Sequence, residues 1–137
     1  MSDVLLDTCA VIWIGHDHPI SEDAEHILNQ CRPDGRRALI SSFSAWEMGM
    51  LVSKGRLRLS APVIHWFEEF RQRSGAYIAE LSPQILASSS FLPGQPPSDP
   101  ADRVLIATAR AMDLILITRD KAVLDYAREG WVRALAC

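Results

Sequence analysis

The chain has few cysteines and no cysteine motif: Cys9, Cys31 and Cys137 are odd in number and show no C-x-x-C spacing, so neither a disulfide framework nor a zinc ribbon is expected. The pattern reads as reduced packing thiols and a cytoplasmic setting. Long apolar runs are missing too. The stretch Val4 to Gly15 is broken by Asp7, lacks a basic leader and a small-residue cleavage site, and is too short to span a bilayer, so no membrane association is expected. No serine lies in a G-x-S-x-G turn, which removes the nucleophile elbow of a serine hydrolase. Asp7-Thr8-Cys9 supplies one acid where a D-x-D phosphatase would need two. Repeats and low-complexity segments are absent.

An excess of positive charge is also lacking. Fourteen Lys and Arg face 17 Asp and Glu for a net charge of −3, whereas nucleic-acid binders are usually basic because neutralised phosphates release counterions. Setting aside the four acids considered below leaves 13 acids against 14 bases, and bound cations would cancel the charge of those four. Charge balance therefore neither supports nor opposes nucleic-acid binding.

What is present fits one domain over residues 1–137: this length buries roughly two thirds of the unfolded surface, and 48% hydrophobic with 23% charged residues is ordinary globular composition. Val4-Leu5-Leu6 reads as a strand ended by Asp7-Thr8, followed by a helix to Gly15. Ser21 caps a second helix that stops before the turn Pro33-Asp34-Gly35. Ala38 to Ser41 is the next strand, and Ser44 to Lys54 a helix stopped by Gly55. Pro62 opens a helix with Val63, Trp66, Phe67 and Phe70 at i, i+3, i+4 and i+7. Tyr77 to Ala79 is a brief strand, and Pro83 starts a helix running toward Phe91. A proline-rich loop, Phe91 to Pro100, ends in Asp99-Pro100, a strong helix start. After that helix come a buried strand, Leu114 to Ile117, the exit Thr118-Arg119-Asp120, a helix from Ala122 to Arg128 and a last strand from Trp131 to Leu135. Such alternation predicts an α/β fold: a mostly parallel central sheet with helices on both faces.

Asp7, Glu47, Asp102 and Asp120 each fall at or just beyond a strand-to-helix junction. In an open α/β sheet these junctions converge on one edge, so acids distant in sequence can share a crevice. Hard divalent cations prefer oxygen ligands, and cations held by such acids can activate water for phosphodiester hydrolysis. Like charges about 4 Å apart repel by roughly 4 kcal/mol at an effective dielectric near 20, so without a cation at least one carboxyl should have a raised pKa. Bland readings stand beside this one. Asp7 and Asp120 each suit a helix N-cap, as does Thr8, and Glu47 suits a solvated helix face, although its neighbours there are mostly apolar. Asp99 is well placed to cap, which leaves Asp102 for the cation and Asp99, like Thr8, in support of the acids.

Four segments together resemble the PIN-domain ribonucleases, especially VapC-like toxins: Leu5-Leu6-Asp7-Thr8 with Trp13; Ser44-Ala45-Trp46-Glu47-Met48; Asp99-Pro100-Ala101-Asp102-Arg103 with Ile106-Ala107; and Ile117-Thr118-Arg119-Asp120. Lys54-Gly55-Arg56-Leu57 looks similar as well. Each motif is weak alone; their order and spacing are specific. The resemblance implies a PIN-like nuclease domain, a toxin of a type II toxin-antitoxin system, and Mg²⁺- or Mn²⁺-dependent cleavage of RNA at Asp7, Glu47, Asp102 and Asp120. It further implies a cognate antitoxin that masks the acids, a toxin homodimer, and Thr118 as the hydroxyl beside them.

Arg103 and Arg119 adjoin proposed ligands and are the better candidates for gripping RNA phosphates. The remaining arginines read as solvated surface. His16-Asp17-His18 has donors for a transition metal, but two histidines in a polar turn are more often solvated. Trp13, Trp46, Trp66 and Phe70 read as core or partner-groove residues, and exposure of Trp46 would favour the groove. The competing function is a non-catalytic module that keeps the fold for protein or RNA docking.

Overall fold

A computed structural model describes residues 2–137. Among them the chain forms β1 (Val4–Leu6), α1 (Thr8–Gly15), α2 (Glu22–Cys31), β2 (Ala38–Ser41), α3 (Ser42–Ser53), α4 (Val63–Ser74), β3 (Tyr77–Ala79), α5 (Pro83–Ser88), α6 (Pro100–Met112), β4 (Ile115–Thr118), α7 (Lys121–Arg128) and β5 (Arg133–Ala136). The strands lie in the order β3-β2-β1-β4-β5, and every pairing is parallel. Helices occupy every strand-to-strand connection, so no hairpin introduces an antiparallel neighbour.

Both faces of the sheet are covered, which explains why its strands read as apolar runs rather than alternations. Val4, Leu6, Ile40 and Ile117 pack with Val11, Ala24, Met48, Phe67 and Phe70 of α1 to α4. Leu5, Leu39 and Leu116 pack on the other face with Leu105, Ile106, Val123 and Tyr126 of α6 and α7. Gly15 is needed for this packing, because a Cβ there would lie 2.4 Å from the Trp66 ring.

The chain begins on the middle strand, winds outward through β2 and β3, then crosses to the far side of β1 for β4 and β5. Such a reversal is where open α/β sheets place their binding crevice, here at the carboxyl ends of β1 and β4. Leu6 sits opposite Ile117, and the Asp7 N–H donates to the Ile117 carbonyl at 3.0 Å.

Several boundaries differ from the sequence expectation. Helix α3 starts two residues before Ser44, because Ser41 at the end of β2 caps it, its Oγ accepting from Phe43 N at 3.0 Å. Helix α5 ends at Ser88 instead of running toward Phe91; the Ser88 and Ser89 hydroxyls bond back to the Ile85 and Leu86 carbonyls there. Strand β5 begins at Arg133 instead of Trp131, after a turn at Gly130, whose φ is 93°. No helix among the described residues is long and apolar enough to cross a membrane.

Candidate active site

Asp7 stands where β1 becomes α1, and both of its oxygens are engaged. Oδ1 accepts from the Ala10 N–H at 2.7 Å, which caps the helix, and Oδ2 accepts from Thr118 Oγ1 at 2.6 Å. Thr118, at the end of β4, is buried, and its Oγ1 in turn accepts from the Asp120 N–H at 3.1 Å. Asp120 caps α7, its Oδ1 accepting from Val123 N at 3.0 Å. One hydrogen-bonded chain thus links the two acids across the switch between β1 and β4.

Glu47 reaches the same edge from the second turn of α3. Thr8 Oγ1 donates to Glu47 Oε1 at 2.5 Å and lies 2.9 Å from Ser44 Oγ. Asp102 lies in the first turn of α6, behind the Asp99 cap, whose Oδ1 accepts from Ala101 N at 2.8 Å. The Asp102 carboxyl accepts no hydrogen bond from the described residues.

Electrostatics tie these acids together. Burial pushes the Asp102 carboxyl from an ordinary 3.8 up to about 7, and the charges of Asp120, Asp99, Glu47 and Asp7 add to the rise. Burial likewise raises Asp7, against the bonds from Thr118 and Ala10, with Asp120 adding repulsion. Glu47 is raised by burial, held back by the Thr8 bond, and raised further by Asp99 and Asp7. Three of the four expected acids therefore resist ionisation. Cys9 shares their field: although part of it reaches solvent, crowding by protein and the charges of Asp7, Glu47 and Asp102 push its thiol up to about 11, which leaves it a poor thiolate nucleophile or ligand.

Among the described residues no three of His, Cys, Asp and Glu close into a metal cage, His16-Asp17-His18 included. An all-oxygen, open set suits Mg²⁺ or Mn²⁺, because Mg²⁺ keeps several waters and takes only a few carboxylates with substrate phosphate. The donor chemistry fits a hard cation, and the mutually repelled carboxyls are what such a cation would relieve.

Two arginines beside the acids make contacts the sequence did not signal. Arg103 Nε donates to the Pro97 carbonyl at 2.7 Å and fastens the proline-rich loop to α6. Arg119 donates to the Cys137 and Pro19 carbonyls at 2.8 and 2.9 Å, with its guanidinium 3.9 Å from the Trp13 ring centroid. Both side chains are anchored through these donors, and each guanidinium keeps further N–H groups beside the acids. Trp46 is 58% exposed and stacks on Phe43. The sequence reading missed Ser44, wholly buried against Thr8; its placement one turn before Glu47 on the same helix was the available signal.

The chain is 27% identical over 122 residues to Ribonuclease VapC22 of Mycobacterium tuberculosis (strain ATCC 25618 / H37Rv), covering 88% of this chain and 89% of that protein. Its fold matches a chain of VapBC2 from Rickettsia felis, solved bound to a DNA fragment from their promoter, with a TM-score of 0.70 at 16% identity and 98% of each chain covered. FitAcB from Neisseria gonorrhoeae matches with a TM-score of 0.52 at 20% identity, covering 96% of each chain. Residues 4–129 match the PIN domain, so with the parallel sheet, the acid-lined switch point and nearly the whole length accounted for, the chain belongs to the PIN-domain family.

Proposed function

We propose that this protein is a divalent-cation-dependent endoribonuclease of the VapC kind, a toxin restrained by a cognate antitoxin. The observation that carries the reading is the gathering of acids at one sheet edge, where Asp7 and Asp120 are joined through Thr118 and the Asp102 carboxyl is raised to about 7 by burial and by the charges of Asp120, Asp99, Glu47 and Asp7. Asp7, Glu47, Asp102 and Asp120 would hold Mg²⁺ or Mn²⁺, which when bound supplies an activated water and charge stabilisation for phosphodiester hydrolysis. The chain's own residues prepare the place. Thr118 and the Ala10 N–H fix the direction of the Asp7 carboxyl, Thr8 fixes Glu47, and the α7 cap fixes Asp120. Asp99, by capping α6, supports Asp102 one turn inside.

Antitoxin partnership is supported by the fold shared with VapBC2 and FitAcB, and RNA as substrate by the ribonuclease relative. A homodimer acting in the cytoplasm completes the proposal. The test is cleavage of structured RNA by the purified chain with Mg²⁺, Mn²⁺ or EDTA, alongside Asp7→Asn and Asp102→Asn. Cleavage that needs the cation and is lost in both variants is expected. RNA binding without cleavage by the intact chain would instead favour a docking module.

A further inference from the structure

Glu47 is held differently from the other acids. Asp7 and Asp120 are short side chains tied to backbone N–H groups at helix starts. Glu47 has three rotatable side-chain bonds and receives its hydrogen bond from a side chain, Thr8 Oγ1. Thr8 is 3% exposed and Ser44 0% exposed, so water does not substitute for either hydroxyl. A threonine hydroxyl carries a single hydrogen. With that hydrogen given to the Glu47 carboxylate, Thr8 can only accept at its second contact, which makes Ser44 the donor at 2.9 Å. The hydrogen-bond direction is therefore Ser44 to Thr8 to Glu47, and each bond polarises the next.

The geometry points to Ser44 and Thr8 as positioning residues: a buried two-hydroxyl relay, spanning the helices that leave β1 and β2, which fixes the Glu47 carboxylate on the acid crevice and so sets cation affinity. This rests on the reading of Glu47 as a cation ligand. Neither hydroxyl is required to touch cation or RNA. Outer partners of this sort typically govern about 10- to 100-fold in metal affinity.

The test titrates Mn²⁺ into the full chain by calorimetry and measures kcat and KM on RNA, for wild type, Thr8→Val, Thr8→Ser, Ser44→Ala, the Thr8→Val/Ser44→Ala double variant and Glu47→Gln. Thr8→Val should weaken Mn²⁺ binding about 10-fold and lower kcat with little change in KM. Thr8→Ser, which keeps the hydroxyl, should recover the affinity. Ser44→Ala should lose less, about 3-fold, and the double variant should match Thr8→Val, since Ser44 acts only through Thr8. Additive losses in the double variant overturn the relay. Wild-type affinity in Thr8→Val, with binding lost in Glu47→Gln, also overturns it while leaving Glu47 a ligand. Equal Mn²⁺ binding by wild type and Glu47→Gln removes the underlying reading and the relay with it. Should Thr8→Val not fold, Ser44→Ala decides, and unchanged Mn²⁺ affinity there overturns the relay.

Discussion

Asp102→Asn should stabilise the protein when no cation is present, the opposite of what removing a structural acid would do. In the folded chain the Asp102 carboxyl titrates at about 7 instead of an ordinary 3.8, because burial and neighbouring carboxylates disfavour its charge. The unfolded chain releases this proton first. Below pH 3.8 both states hold it and the site costs nothing; between 3.8 and 7 the folded state falls behind as pH rises; above 7 the full cost is present. The difference converts to about 4 kcal/mol, and since Asp102 is half-buried and partly screened, about 1–2 kcal/mol is the working figure. Asp7 and Glu47 are raised as well and add in the same direction. Asp3, lowered by its bonds to Arg37, acts with the opposite sign but below its ordinary 3.8, outside the range that matters.

Between pH 5 and 8 in EDTA, therefore, the wild-type denaturation midpoint should fall as pH rises, and the Asp102→Asn variant should show a shallower slope. At pH 8 the variant should be the more stable by about 1–2 kcal/mol, roughly 4–8 °C in Tm for a chain of this size. At pH 5 the gap should shrink to about a third of that, and it should close only as pH approaches 3.8. Mg²⁺ at pH 8 should raise the wild-type Tm, because a ligand of the folded form stabilises it by mass action, and raise the variant's far less. The assay is urea unfolding followed by circular dichroism at each pH. A wild-type curve flat from pH 5 to 8, or an Asp102→Asn variant less stable than wild type at pH 8 in EDTA, would refute the repulsion argument.

Thr118→Val should leave Asp7 Oδ2 without its donor, costing about 1–2 kcal/mol in urea midpoint and weakening Mn²⁺ binding; calorimetry showing unchanged affinity would detach Thr118 from the site. Gly15→Ala pushes a methyl into the Trp66 ring and should cost about 1–3 kcal/mol, read by thermal melting, whereas an unchanged Tm would mean that the ring swings aside freely. Arg119→Ala removes two carbonyl bonds and the Trp13 stack, so stability should drop by about 1–3 kcal/mol. If Arg119 gripped phosphate instead, KM for RNA would rise with stability intact.

Much of the sheet was legible because β1, β2 and β4 are buried on both faces and leave short apolar runs no surface element would carry. Ends were harder, since Ser41 serves as the last residue of β2 and the cap of α3 at once, and periodicity has no signal for a residue shared by two elements. The anchoring contacts of Arg103 and Arg119 were hidden for another reason. Their partners are carbonyls of Pro97, Pro19 and Cys137, and a backbone acceptor has no side-chain signature. Ser44 was read only as a helix start and a motif residue, because its buried hydroxyl meets a residue 36 positions away.

The acids show where the premise itself was too narrow. Helix capping and service in the site were set against each other for Asp7 and Asp120, as though a carboxylate had one use. A carboxylate has two oxygens and about four lone-pair positions. Asp7 caps α1 through Oδ1 and meets Thr118 through Oδ2, and Asp120 caps through Oδ1 alone. Capping also chooses the location: an N-cap takes extended backbone just before a helix, and in a parallel sheet the residue between strand and helix stands on the carboxyl edge. An acid that caps α1 or α7 is thereby delivered to the crevice with its torsions already fixed by a backbone bond. Asp99 caps equally well but from an exposed loop, with no strand ending immediately before it, so its charge reaches Asp102 and Glu47 without joining the hydrogen-bonded chain that links Asp7, Thr118 and Asp120. What separates a cap that can serve the site from one that only ends a helix is the strand in front of it.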